Sequence, residues 1–139
     1  MSAIRIITVG VLLSGLSFQA LAETVVVVHP SNSTEIDTKQ IQRIFLGKEK
    51  KFSDGSETIP VNQVSDSSVR SNFDTSVLGR SSSQVSAYWS KLVFTGKGVP
   101  PKEVENDAAV IALVAKNPSA IGYVNSTSVD DSVKVISIN

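Results

Sequence analysis

The stretch Val61-Asn62-Gln63-Val64-Ser65-Asp66-Ser67-Ser68-Val69-Arg70-Ser71-Asn72-Phe73 decides how this chain is read. It continues a β-leaning run, Thr58-Ile59-Pro60-Val61, through a polar turn and into a helix. The turn offers Ser65, Asp66, Ser67 and Ser68 in a row, all residue types that cap helices. A helix start also leaves N–H groups unpaired and carries a partial positive charge, so hydroxyls placed there make an oxyanion cradle. Arg70 and Phe73 follow three residues apart, one turn in. Spacing alone leaves two readings open: plain capping by Ser65 or Asp66, or an anion site.

Working outward, Thr24-Val25-Val26-Val27-Val28-His29 is a continuous β-branched run, the pattern of a strand buried on both faces. Asp37 or Thr38 caps a helix whose Ile41, Ile44 and Phe45 fall at i, i+3, i+4, and Gly47 stops it. Lys48 to Lys51 is a basic loop, and Asp54-Gly55 a tight turn before the next strand. The helix from about Ser67 ends at Leu78-Gly79. Ser81-Ser82-Ser83 opens another that carries Val85, Tyr88, Trp89, Leu92 and Val93. Tyr88, Trp89 and Phe94, at helical spacing, read as core. Gly96, Gly98 and Pro100-Pro101 form a loop, and Asn106 or Asp107 caps a fourth helix through Ala115. Ala120 to Val124 and Val133 to Ile138 read as strands. Strands alternating with helices imply an α/β sandwich with a mixed sheet.

Residues 1–22 have the features of a secretory signal peptide: Arg5 at the start, a short apolar core from Ile6 to Phe18, and the A-x-A site Ala20-Leu21-Ala22. Cleavage after Ala22 leaves residues 23–139, enough chain for a single domain. The 139-residue chain carries 13 basic and 13 acidic side chains, a balance that argues against nucleic acid as a partner. With no cysteine there is no disulfide, thiol catalysis or cysteine metal site. Export without cysteines fits a periplasmic protein stabilised by its core. His29, the single histidine, lacks partners at triad or metal-site spacing and reads as a structural residue at a strand end. No motif argues for an enzyme, a metal or a cofactor.

Several landmarks occur in order: Ile44-Phe45-Leu46-Gly47-Lys48, Asp54-Gly55, Ile59-Pro60-Val61 and Ser67-x-x-Arg70-x-x-Phe73. They continue with Trp89, Phe94-Thr95-Gly96-Lys97-Gly98, Pro100-Pro101 and Ala120-Ile121-Gly122-Tyr123-Val124. In this order and at these intervals they resemble the phosphate-binding, periplasmic substrate-binding proteins of ABC transporters. Those proteins have two lobes closing over the ligand, and this chain resembles only one. The resemblance implies a single-lobe, three-layer α/β sandwich of the type II periplasmic binding fold, with the ligand at helix N-termini.

The family holds its oxyanion with roughly R-x-x-x-S-G-T. Carried over, Ser67 matches the serine, Ser68 replaces the glycine, Val69 replaces the threonine, and Gln63 stands where the arginine would be. An amide in place of a guanidinium removes bidentate, charge-assisted contacts, and Arg70 is the candidate to restore the charge. The implied ligand residues are therefore Gln63, Ser67, Ser68, Val69 and Arg70. One lobe leaves a face of the ligand in water, where anion contacts are screened. The expected function is an exported, solute-binding-like protein that binds a small oxyanion such as phosphate, weakly or within an assembly. A transporter permease, a sensor or a second copy of the chain would be its partner. The alternative is a ligand-free interaction or accessory module of the cell envelope on the same fold. Elsewhere, Ser81 to Ser83 read as caps, Ser31-Asn32-Ser33 as a loop, and Asp130-Asp131 and Glu103/Glu105 as solvated acidic pairs.

Overall fold

A computed structural model describes residues 23–137. The signal-peptide reading of residues 1–22 and the last expected strand residue, Ile138, lie outside them. In chain order the elements are β1 (Thr24–Val28), α1 (Thr38–Phe45), β2 (Ile59–Gln63) and α2 (Ser68–Phe73), which runs on into a π-helical turn (Asp74–Leu78). There follow α3 (Ser82–Phe94), β3 (Lys102–Val104), α4 (Asp107–Lys116), β4 (Ala120–Asn125), a 3-10 turn (Ser126–Ser128) and β5 (Lys134–Ile136).

The strands form one mixed sheet in the order β3-β2-β4-β1-β5. β2 runs parallel to β3 and β4, whereas β1 runs antiparallel to β4 and β5. Val26 faces Tyr123 and Ile136 across its two neighbours. The alternation of side chains then divides the β-branched run between two cores. Val26 and Val28 join Ile121, Tyr123 and the apolar faces of α1, α2 and α3. Val27 joins Val61, Val124 and the α4 residues Val110 and Val114 on the other side. Helices thus cover both faces of the sheet, giving the three layers expected. Each fully buried valine contributes roughly 1.5 kcal/mol of transfer free energy before entropy is charged.

Local chemistry sets the helix ends. Asp37 accepts from the Gln40 N–H at 2.8 Å while the Gln40 side chain accepts from the Asp37 N–H at 3.0 Å. Ser81 and Gln84 form the same reciprocal capping box at the start of α3. Gly122 has a different reason: a Cβ there would lie 2.6 Å from Val110 Cγ1, so only glycine lets α4 approach β4 this closely.

Two expectations need correction. β3 was read as loop; Lys102-Glu103-Val104 shows no apolar alternation and becomes a strand by parallel pairing with Val61–Gln63. Phe94 was read as core together with Tyr88 and Trp89. Trp89 is buried, but Phe94, at the last position of α3, is 91% exposed.

Candidate functional site

The parallel strands β2, β3 and β4 end at Gln63, Val104 and Asn125, and the starts of α2 and α4 lie just beyond. Ser67 is the N-cap of α2: its backbone is extended (φ −68°, ψ 126°), and its Oγ accepts from the Arg70 N–H at 3.2 Å. The same hydroxyl donates to Gln63 Oε1 at 2.7 Å. A single serine therefore caps the helix and ties it to the end of β2.

Gln63 is 1% exposed. Its amide nitrogen donates to Asp107 Oδ1 at 2.7 Å and to the Tyr123 carbonyl at 3.1 Å. Its backbone N–H is shared between Asn62 Oδ1 and the Tyr123 hydroxyl, and that hydroxyl in turn donates to Asn62 Oδ1. Asp107, the first residue of α4, also accepts from the Asn125 N–H and the Ser128 hydroxyl. Gln63 thus bridges the starts of both helices and the middle strand of the sheet.

Arg70 points inward and is 4% exposed. Its Nη1 donates to the Gln63 carbonyl at 2.9 Å and to Glu103 Oε1 at 2.8 Å. Nε lies 3.7 Å from Asp74 Oδ2, an ion pair too long for a hydrogen bond. Arg70 Nε and Asp74 Oδ1 are both buried without a hydrogen-bond partner among the described residues. Burial pushes the Asp74 carboxyl above its ordinary value, against the lowering effects of the Ser82 hydroxyl and Arg70. Burial likewise pushes the Tyr123 phenol far up. Phe73 stacks on the Tyr123 ring, with centroids 3.9 Å apart and planes 5° from parallel, and so fixes the floor of the site.

The five residues expected at the ligand therefore divide. Gln63, Ser67 and Arg70 come together, and each is engaged with other protein groups. Val69 packs its side chain against the core. Ser68 is exposed and lines a shallow depression with Ser65, Asp66, Ser67 and Ser71. The first-turn N–H groups of Ser68 and Val69 are those that any α-helix start leaves for an outside acceptor. Sequence reasoning did not place Asn62, Asp74, Glu103, Asp107 or Tyr123 in this constellation. Asp74 had a readable signal, four residues after Arg70 on the same helical face. Glu103 had none, because only the Asn62–Glu103 register of β2 and β3 brings it to Arg70.

Electrostatically, the Arg70 guanidinium pairs with Glu103 and Asp74, and a third carboxylate, Asp107, joins the cluster through Gln63. An anion arriving at α2 meets backbone and hydroxyl donors outside and net negative charge behind them.

No sequence-family model matches the chain. Solved structures do match in fold. The chain is similar to an ABC-type phosphate transport receptor from Vibrio cholerae (21% identity, TM-score 0.64), over 84% of its own length and 46% of that chain. It is similar to a putative phosphate ABC transporter substrate-binding protein with bound phosphate from Clostridium perfringens (20% identity, TM-score 0.68), over 84% and 45%. It also resembles a possible phosphate binding protein from Planctomyces limnophilus (15% identity, TM-score 0.60), over 85% and 42%. The chain spans less than half the length of each. What it shares with these proteins is the fold of a single lobe.

Proposed function

We propose that the protein is an exported, solute-binding-type lobe that holds a small oxyanion such as phosphate, weakly, at the start of α2. The observation that carries this reading is the Ser67 cap. By taking up the Arg70 N–H it leaves the N–H groups of Ser68 and Val69 as the donors of the first turn, beside the exposed Ser68 hydroxyl. Gln63 and Arg70 serve as the frame that orients this turn, while Ser68 and Val69 face the anion. Two or three exposed contacts suit an affinity near millimolar, about 4 kcal/mol. A second wall, supplied by a transporter permease, a sensor or a second copy, would dehydrate the anion and tighten its binding. Residues 1–22 would deliver the protein to the periplasm.

A second reading, a ligand-free interaction or accessory module of the envelope, is favoured by one observation. The guanidinium that would replace the family's arginine is committed to Glu103 and Asp74.

Titration of phosphate and of sulfate, followed through backbone amide shifts, separates the two. The oxyanion reading expects the Ser68 and Val69 amides to move, the effect to fade with added salt, and Ser67→Ala, which removes the cap that orients this turn, to weaken binding several-fold. Stationary amides with both anions, and no loss from Ser67→Ala, would leave the interaction module. The intact mass of the exported protein checks the localisation, which requires loss of residues 1–22.

A further inference from the structure

The chain's single tryptophan is a core residue that also lines a cleft the α2 site does not use. Trp89 lies between two glycine-bearing loops. A Cβ at Gly47 (φ +72°) would lie 2.7 Å from Trp89 Cη2, and one at Gly98 would lie 3.3 Å from Cζ3. Tyr88 packs edge-on against the indole, with centroids 5.4 Å apart, and donates its hydroxyl to the Leu46 carbonyl at 2.6 Å. The two rings are held rigidly, and Trp89 Nε1 is buried without a hydrogen-bond partner among the described residues.

Beside this wall opens a cleft of about 550 Å³, lined by Leu46, Lys50, Tyr88, Trp89, Lys97 and Val99 among others. That volume is in the range of sites that accept a ligand or an anchoring side chain. Val99 at its edge is 87% exposed, and nearby in the chain Phe94 is 91% and Val93 52% exposed. Val93 and Phe94 line a second depression that Trp89 also lines, so exposed apolar side chains stand at both openings beside the indole. Charge completes the description. The ion pairs among the described residues are Arg43–Glu49, Arg70–Asp74 and Arg70–Glu103, so Lys50 and Lys97 have no carboxylate partner there.

We propose that this cleft docks an acidic segment of a partner protein, seating an aliphatic or aromatic side chain against Trp89 and carboxylates on Lys50 and Lys97. Charge complementarity selects the acidic partner, because two ammonium groups without a carboxylate partner among the described residues line the cleft beside Leu46, Trp89 and Val99. Concavity selects a protein over a membrane surface: a protruding side chain fills a cleft beside a fixed indole, whereas a bilayer fills none. The cleft shares no lining residue with the start of α2, so the two sites are tested separately.

Because Trp89 is the only tryptophan, its emission reports this cleft directly. The probes are two synthetic peptide pools, both with Leu and Phe at randomised positions, one spaced by Asp and Glu and the other by Lys. The acidic pool should shift Trp89 emission and the amides of Lys50 and Lys97, and the basic pool should not. Lys50→Glu with Lys97→Glu should weaken the acidic pool about tenfold or more, roughly 1.4 kcal/mol, and should let the basic pool bind. The amide spectrum of that double variant establishes that it is folded. No response to the acidic pool, or a response that survives the charge inversion, overturns the proposal. So does binding to phosphatidylglycerol vesicles that depends on Phe94 and Val99 while the peptides stay silent, which would make the surface a lipid contact.

Discussion

The start of α2 and the Trp89 face break the usual rules of burial in opposite directions. At α2 the protein buries charge: Arg70 and Asp74 are almost wholly enclosed, and Gln63 spends all of its side-chain hydrogen bonds on the protein. At the Trp89 face it exposes apolar surface: Phe94 is in water, and Val99 lines a cleft with two lysines that have no acidic partner among the described residues. Buried charge that is internally paired belongs to the architecture. Exposed apolar surface without a fold-level reason belongs to an encounter. The difference teaches that the polar residues most suggestive of a ligand in the sequence are here mostly framework, while Phe94, read as core, has become surface.

The sharpest way to break this contrast is Arg70→Met. If the guanidinium is framework, its loss strands the Asp74 carboxylate in the interior and leaves the Gln63 carbonyl unmatched. The expected cost is about 3–5 kcal/mol in urea unfolding at neutral pH. A cost below about 1 kcal/mol would mean that Arg70 is not structural, and it would return to the ligand side of the account.

Asp74→Asn sharpens the same side with a smaller effect. The folded pKa of Asp74 lies above its unfolded value, so the folded chain holds that proton more tightly. The resulting stabilisation is present in acid and is lost as pH rises through the folded pKa. The asparagine variant should abolish this pH dependence while keeping an acceptor for the Ser82 hydroxyl. At pH 7 it should be as stable as the parent or more so, by up to about 1 kcal/mol, since a partly unpaired buried charge has been removed. Urea melts at pH 4 and pH 7 for both proteins decide it; a large loss at pH 7 would show the Arg70 pair to be net favourable.

The smallest expected effect is at the other region. Phe94→Ser should change unfolding free energy by no more than about 0.5 kcal/mol, because almost none of that ring is covered. A loss above about 1 kcal/mol would put Phe94 in the core after all and remove the basis for an encounter surface.

The elements whose reading held were those written in local chemistry. The β-branched run at Val25–Val28 and the helix starts at Asp37, Ser81 and Asn106 are each decided within a few residues. β3 was hidden because its pairing depends on β2 and not on its own side chains. Phe94 was misread through helical spacing. Five residues past Trp89 is about 140° around the helix, so the position turns away from the face that Val85 and Trp89 bury. At α2 a cap was legible but was expected at Ser65 or Asp66, whereas the structure places it at Ser67. The direction of Arg70 depended on Glu103, which no local pattern connects to it.

The place of β1 in the sheet bears on how the molecule assembles. This strand lies near the start of the described chain, yet it occupies a slot between β4 and β5, close to the opposite end. Val26 cannot satisfy its backbone until Tyr123 and Ile136 are available. Loop-closure entropy must be met in full before those ladders repay it, which slows folding relative to a sheet of sequential hairpins. Until β1 arrives, the facing edges of β4 and β5 stay open to pairing with other chains. A chain built this way keeps its sheet open at β4 and β5 until β1 is in place, and through that interval those edges need guarding.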